Sequence, residues 1–314
     1  MMQIMAQLFS GLPQVVLFVL LSPAVIGTLW WIKARLLLRR GPPPWQLYLD
    51  LIKLFRIPSG QAPETTSWVY LAAPFTAFVC YALLAWATPP FNLGFIPLDL
   101  VTVVYLLGFA RFALALAGMD TGTPFGGMGS SREMFINVLA EPVLILVILA
   151  LTLQRHTTDL TLIFSSLSLT GTIFSLSALL LLWFALAFIA IMDNGLLPFD
   201  NPSTHLELTM IQKALHLEYS GRKLALIEWG EAMRLTFFLT LLSDLLIAHN
   251  LPFLSTVPGN LLGPLLYIAK LLVGVALLAL FEITQIRLRL RRVVIPWIAI
   301  MLLALAAVFL VIIQ

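Results

Sequence analysis

Charge is scarce in this sequence: Asp, Glu, Lys and Arg make up 11% of its 314 residues, 61% are hydrophobic, and mean hydropathy is +1.00. Soluble globular chains carry roughly 25% charged residues, so a water-soluble fold around one core is excluded and most of the chain belongs in lipid. Cysteine is scarcer still. Cys80 stands alone inside an apolar run, which excludes a disulfide framework and a thiolate-held cluster. No G-x-x-x-x-G-K-S/T or G-x-G-x-x-G pattern precedes a helix, so nucleotide binding has no carrier. Internal repeats are missing, which argues against an inverted-repeat transporter. The first apolar run lacks a basic n-region and continues to about residue 32, so it reads as a retained helix rather than a cleaved signal.

Long apolar runs are abundant. A spanning helix needs about 20 mostly apolar residues, and eight segments meet that length: 12–32, 68–88, 98–117, 134–153, 172–192, 227–247, 263–281 and 293–313. The expected fold is therefore an all-α integral membrane protein of about eight transmembrane helices, residues 1–314 forming one membrane domain. Between the first two spans, GPPP opens a stretch in which Trp45, Leu47, Tyr48, Leu51 and Leu54 alternate loosely with Gln46, Asp50, Lys53 and Arg56. That pattern predicts a short amphipathic helix lying on the membrane surface.

Loops after odd-numbered spans hold 14 of the 18 Lys and Arg residues, and the opposite loops hold only Arg155. By the positive-inside rule both termini face outward and the long loop 193–226 faces the cytoplasm. The net charge of +3 is thus topological and implies no nucleic-acid partner.

That loop gathers Asp193, Asp200, Glu207 and Glu218 with His205 and His216. The helices flanking it carry Glu133 and Glu141, about 80° apart in azimuth at 100° per residue, and Glu228, Glu231 and Arg234 at three-residue spacing. The spacing lets Glu231 pair with Arg234 across one turn. Closely spaced carboxylates in a low dielectric raise one another's pKa and can pass protons. Glu133, Glu141, Glu228 and Glu231 therefore mark a proton path. Arg111, Asp244, Lys270 and Glu282 fit either such a path or interhelical ion pairs. His205 and His216 lack companion ligands at metal spacing, and Gly122, Gly126, Gly127 and Gly129 form a Gly-rich turn suited to close packing.

Three motifs carry a family resemblance. LPFDNP (Leu197–Pro202), LEYSG (Leu217–Gly221) and WGE (Trp229–Glu231) resemble the signature loop of subunit 1 of respiratory complex I. RRGPPP (Arg39–Pro44) with LDLIKLF (Leu49–Phe55) looks like that family's RGP turn and surface helix. GMDTGTPFGGMGSSREMFINVLAEP (Gly118–Pro142) is similar to a segment of the membrane subunit in formate hydrogenlyase and related energy-converting nickel–iron hydrogenases.

The resemblance implies an inner-membrane coupling subunit of an oxidoreductase complex, without a cofactor of its own. Its expected partners are a peripheral arm of iron–sulfur and large hydrogenase-like subunits, with a nickel–iron centre in the hydrogenase branch, and antiporter-like membrane subunits. The implied proton path comprises Glu133, Glu141, Asp193, Glu207, Glu218, Glu228 and Glu231. Arg132, Asp200, His205 and Arg222 belong to the interface or modulate its charge. Where relatives carry an acidic run, this loop reads NPSTHLELTMIQKALH and keeps Glu207 alone, so His205 is either a substitute titrating group or a loop histidine that only hydrogen-bonds. Two other readings stand beside this one: a quinone-site subunit, with a channel between the 41–57 helix and the first span, and a purely structural membrane anchor.

Overall fold

The computed structural model describes residues 2–58, 66–87, 99–160, 163, 173–200, 211–246, 262–286, 288 and 292–313. Among them are ten helices: α1 (Met2–Leu36), α2 (Gln46–Arg56), α3 (Trp68–Ala87), α4 (Leu100–Asp120), α5 (Pro124–Arg155), α6 (Ile173–Asp193), α7 (Gln212–Leu215), α8 (Gly221–Leu246), α9 (Leu262–Thr284) and α10 (Val294–Ile313). Seven are long and apolar enough to cross a membrane. The eighth long helix, α8, fails that composition test because of Glu228, Glu231, Arg234 and Asp244. It packs against α1, α2, α3, α6 and α9 at the centre of the bundle, and from Ala232 to Leu241 every one of its residues is buried. A helix so enclosed meets protein rather than lipid and can carry charge that a lipid-facing helix cannot.

Two helices start earlier than hydropathy predicts. α5 begins at Pro124 rather than near 134, since Thr123 caps it by accepting from Gly126 N at 3.2 Å and Pro124 takes the first helical turn. The supposed Gly-rich turn is therefore mostly helix: Gly126, Gly127 and Gly129 lie inside α5. Tertiary approach explains the glycines. A Cβ on Gly129 would stand 3.0 Å from Leu215 N in α7, and one on Gly126 would stand 2.4 Å from Gly118 O in α4. α8 starts at Gly221, where φ is +56° and a Cβ would lie 2.6 Å from Ile57 O. Only glycine fits that approach to the chain leaving α2.

α2 is the surface helix the sequence predicts. Leu47 and Leu51 are buried against Ala225 and Ala232 of α8, while Trp45, Leu49 and Ile52 stay exposed. Its seam with α1 is closed by direct contact. Tyr48 OH donates to Leu20 O, and the backbone of Pro44 lies so close to Gly27 that a Cβ there would stand 1.8 Å from Pro44 O.

Candidate functional site

α7 organises the polar interior although it is one turn long. Asp200, buried at the end of the PFD segment, accepts from Ile211 N at 3.1 Å and Gln212 N at 3.3 Å and so pins the start of the turn. Its far side is clasped by two tyrosines that bond reciprocally: Tyr219 OH donates to Tyr70 O at 3.0 Å and Tyr70 OH to Glu218 O at 2.7 Å, with the rings stacked 4.4 Å apart. Held at both ends, α7 sits in the groove that Gly118 of α4 and Gly129 of α5 leave open.

From that position Gln212 reaches three helices. Its Nε2 donates to Asp193 O at 2.8 Å and to Glu133 Oε1 at 3.4 Å, and its Oε1 accepts from Arg234 Nη2 at 3.1 Å. Arg234 also donates to Asn194 Oδ1 at 3.3 Å and to Tyr81 OH at 3.4 Å. Behind Glu133, Arg111 of α4 is ion-paired with Asp193 at the end of α6 and donates to Asn137 Oδ1 at 3.0 Å. A void of about 10 Å³ lies between Arg111, Glu133, Gln212, His216, Glu231 and Arg234, the size that one water requires. Glu133 Oε2 and Asp193 Oδ2, both buried, have no hydrogen-bond partner among the described residues.

Toward the loop side a second group continues the first. Lys213 Nζ donates to Glu228 Oε1 at 2.6 Å and to Glu231 Oε2 at 3.0 Å, and His216 Nδ1 lies 3.2 Å from Glu231 Oε1. Burial disfavours a charged Lys213, but Glu231 and Glu228 outweigh it and hold the ammonium above the usual lysine pKa. Burial, with Lys213 and Arg234 adding to it against Glu231, lowers the His216 pKa to about 4, so the imidazole is neutral at pH 7.

Of the residues singled out from sequence, the structure brings together Glu133, Asp193, Glu228 and Glu231, with Asp200 holding the element between them. The expected pairing of Glu231 with Arg234 does not form. α7 enters the groove and gives Lys213 and His216 to Glu231 and Gln212 to Arg234. Glu141 lies outside the cluster, half-buried, with Oε1 3.5 Å from where a Cβ on Gly108 of α4 would be. Glu218 contributes its backbone carbonyl to Tyr70. Arg222 is exposed and donates to Phe55 O at 3.4 Å, and Arg132 is half-buried one residue before Glu133. Thr204, His205 and Glu207 fall outside the described residues. The remaining candidates are interhelical ion pairs: Arg111 with Asp193, Lys270 with Asp244 at 3.3 Å, and Lys33 with Glu282 at 2.6 Å.

Sequence reasoning missed the partners more than the acids. Gln212, Lys213 and His216 complete the network, yet only their clustering within five residues opposite a run of carboxylates signals it. Tyr81, Asn137 and Asn194 carry no signal at all in an apolar background.

A profile of the NADH dehydrogenase family matches residues 12–313. Formate hydrogenlyase subunit 4 of Escherichia coli K12 is 34% identical over 295 residues, 91% of this chain and 92% of that protein. Hydrogenase-4 component C of the same organism is 36% identical over 249 residues, 77% of this chain and 75% of that one. A subunit of the NADH-quinone oxidoreductase of Rhodospirillum rubrum is 27% identical over 237 residues, 71% of this chain and 67% of that one. A chain from the structure of an archaeal membrane-bound sulfane sulfur reductase superposes with a TM-score of 0.83 over 97% of this chain and 99% of that one at 18% identity, a likeness of fold. Sequence, spans and fold agree, and this multi-pass membrane protein belongs to the NADH dehydrogenase family.

Proposed function

We propose that this chain anchors and couples an energy-converting oxidoreductase complex of the hydrogenase-4 or formate hydrogenlyase type. Its buried polar cluster is the entry of a proton path. The observation that carries this reading is the meeting of two hydrogen-bonded groups, Glu228 and Glu231 with Lys213 and His216, and Glu133 with Gln212 and Arg234, around one void of about 10 Å³ that Arg111 of the Arg111–Asp193 pair also lines. Acids on three helices meet there around a four-residue turn that belongs to the loop.

The loop side is cytoplasmic, since 14 of the 18 Lys and Arg residues flank it or share its side. Peripheral redox subunits dock on that face, and antiporter-like subunits receive the coupling within the membrane. Redox chemistry above the loop displaces α7, which changes how Lys213 and Gln212 divide their hydrogen bonds among Glu228, Glu231 and Glu133. A shift of that kind alters which carboxylate holds the proton. Glu141, two turns deeper on α5, takes the proton onward along α4. The closed seam between α1 and α2 favours this over the quinone-site reading.

Glu133→Gln and Glu141→Gln test the path in proteoliposomes containing the assembled complex. Redox turnover with an uncoupler present should stay within about twofold of wild type, while redox-driven proton uptake falls at least tenfold. Normal proton uptake in both variants would make the cluster structural.

A further inference from the structure

α6, α8 and α9 enclose an apolar cleft of about 400 Å³, within the range of ligand pockets, and no part of the proton path lines it. Its length can be read from two helices. It follows α8 from Leu235 to Leu246 and α9 from Lys270 to Phe281, twelve residues and eleven rises in each case, or about 16 Å at 1.5 Å per rise. Half of a hydrocarbon core about 30 Å thick has the same depth.

The cleft opens sideways, because the rim residues Phe184, Val273 and Leu277 are each more than half exposed on the helices that meet the acyl region. Its two ends differ. At the deep end Lys270 is buried and held by Asp244 at 3.3 Å, so that cation is already matched. At the loop-side end, Leu288 N donates to Pro198 O at 2.8 Å, two residues from Leu196 of the cleft wall, so the chain leaving α9 toward exposed Arg292 passes this end. Lys33, with a quarter of its side chain accessible, pairs with Glu282 next to Phe281.

We propose that this cleft binds one acyl chain of an anionic phospholipid from the loop-side leaflet. The tail lies along Ala187, Leu242 and Val273 toward Lys270, and the phosphate lies at the basic mouth near Arg292.

Trp183 lines the cleft and reports on it. The full chain is reconstituted in vesicles of phosphatidylcholine or phosphatidylglycerol with brominated acyl chains, and the Trp183 share of quenching is taken as wild type minus Trp183→Phe. Phosphatidylglycerol should quench that share at least twice as strongly as phosphatidylcholine. Ala187→Phe, which fills the cleft, should abolish the excess, and Arg292→Gln should equalise the two lipids while retaining quenching. Equal quenching by both lipids in the wild type would overturn the anionic headgroup. Quenching unchanged by Ala187→Phe would overturn the acyl chain altogether. So would an isoprenoid that co-purifies one-to-one with the wild type, is lost in Ala187→Phe, and shields Trp183 from both lipids.

Discussion

His216 shows how one enclosed side chain ties the loop to pH. An unfolded histidine takes up a proton below about pH 6.5, whereas this imidazole, buried beside Lys213 and Arg234, does so only near pH 4. Between those values the unfolded chain holds more protons, so protonation drives unfolding and stability rises with pH across the window. Relative to His216→Gln, the wild type should lose about 2–3 kcal/mol on going from pH 6.5 to 4, from roughly 1.4 kcal/mol per pKa unit. The loss should level off about one pH unit below the folded-state pKa, near pH 3. Thermal unfolding in detergent at half-unit pH steps measures the difference, and parallel curves for the two proteins would refute it. The carboxylates titrate in both proteins and largely cancel in the comparison.

Among the elements, α7 is the least legible in sequence and the most consequential. Four residues cannot sustain a helix on propensity; tertiary contacts with Asp200, Gly118 and Gly129 make this one. The eight long helices were legible because each needs only length and apolarity, and α2 because its amphipathic alternation survives without partners. The start of α5 was not, since glycines count against a helix locally while the benefit of their missing Cβ atoms appears only when α4 and α7 close on them. Two of the glycines inside α5 separate these effects. Gly127 has nothing within 4 Å of a would-be Cβ, so Gly127→Ala should stabilise by about 0.5–1 kcal/mol through helix propensity. Gly129→Ala gains the same propensity but presses on Leu215 N at 3.0 Å and Ala214 C at 3.2 Å. Overpacking against backbone costs about 1–3 kcal/mol, so its net effect should be a loss of about 1 kcal/mol with reduced proton uptake. Unfolding midpoints of the two variants, which should move in opposite directions, check the pair.

At the scale of the whole molecule, a bundle without strong hydrophobic sorting between its helices must fix their order by packing and polar contacts. Among the described residues, three ion pairs do this on three different seams: Lys33–Glu282 joins α1 to α9, Arg111–Asp193 joins α4 to α6, and Asp244–Lys270 joins α8 to α9. From sequence these charges fitted either a path or a brace, because partner identity depends on which helices become neighbours. Arg111–Asp193 opens onto the α7 cluster and so belongs to the site as well. Asp244–Lys270 lies apart from it, with both side chains at most 4% exposed, and there the two roles predict different outcomes. Removing one partner strands the other charge in a low dielectric, so Lys270→Met or Asp244→Asn alone should cost about 3–5 kcal/mol, whereas removing both strands nothing and should recover most of that loss. Stability recovered in the double variant, with redox-driven proton uptake also at the wild-type rate, is the outcome expected of a brace. Recovered stability with proton uptake still abolished would move the pair from the scaffold into the proton path.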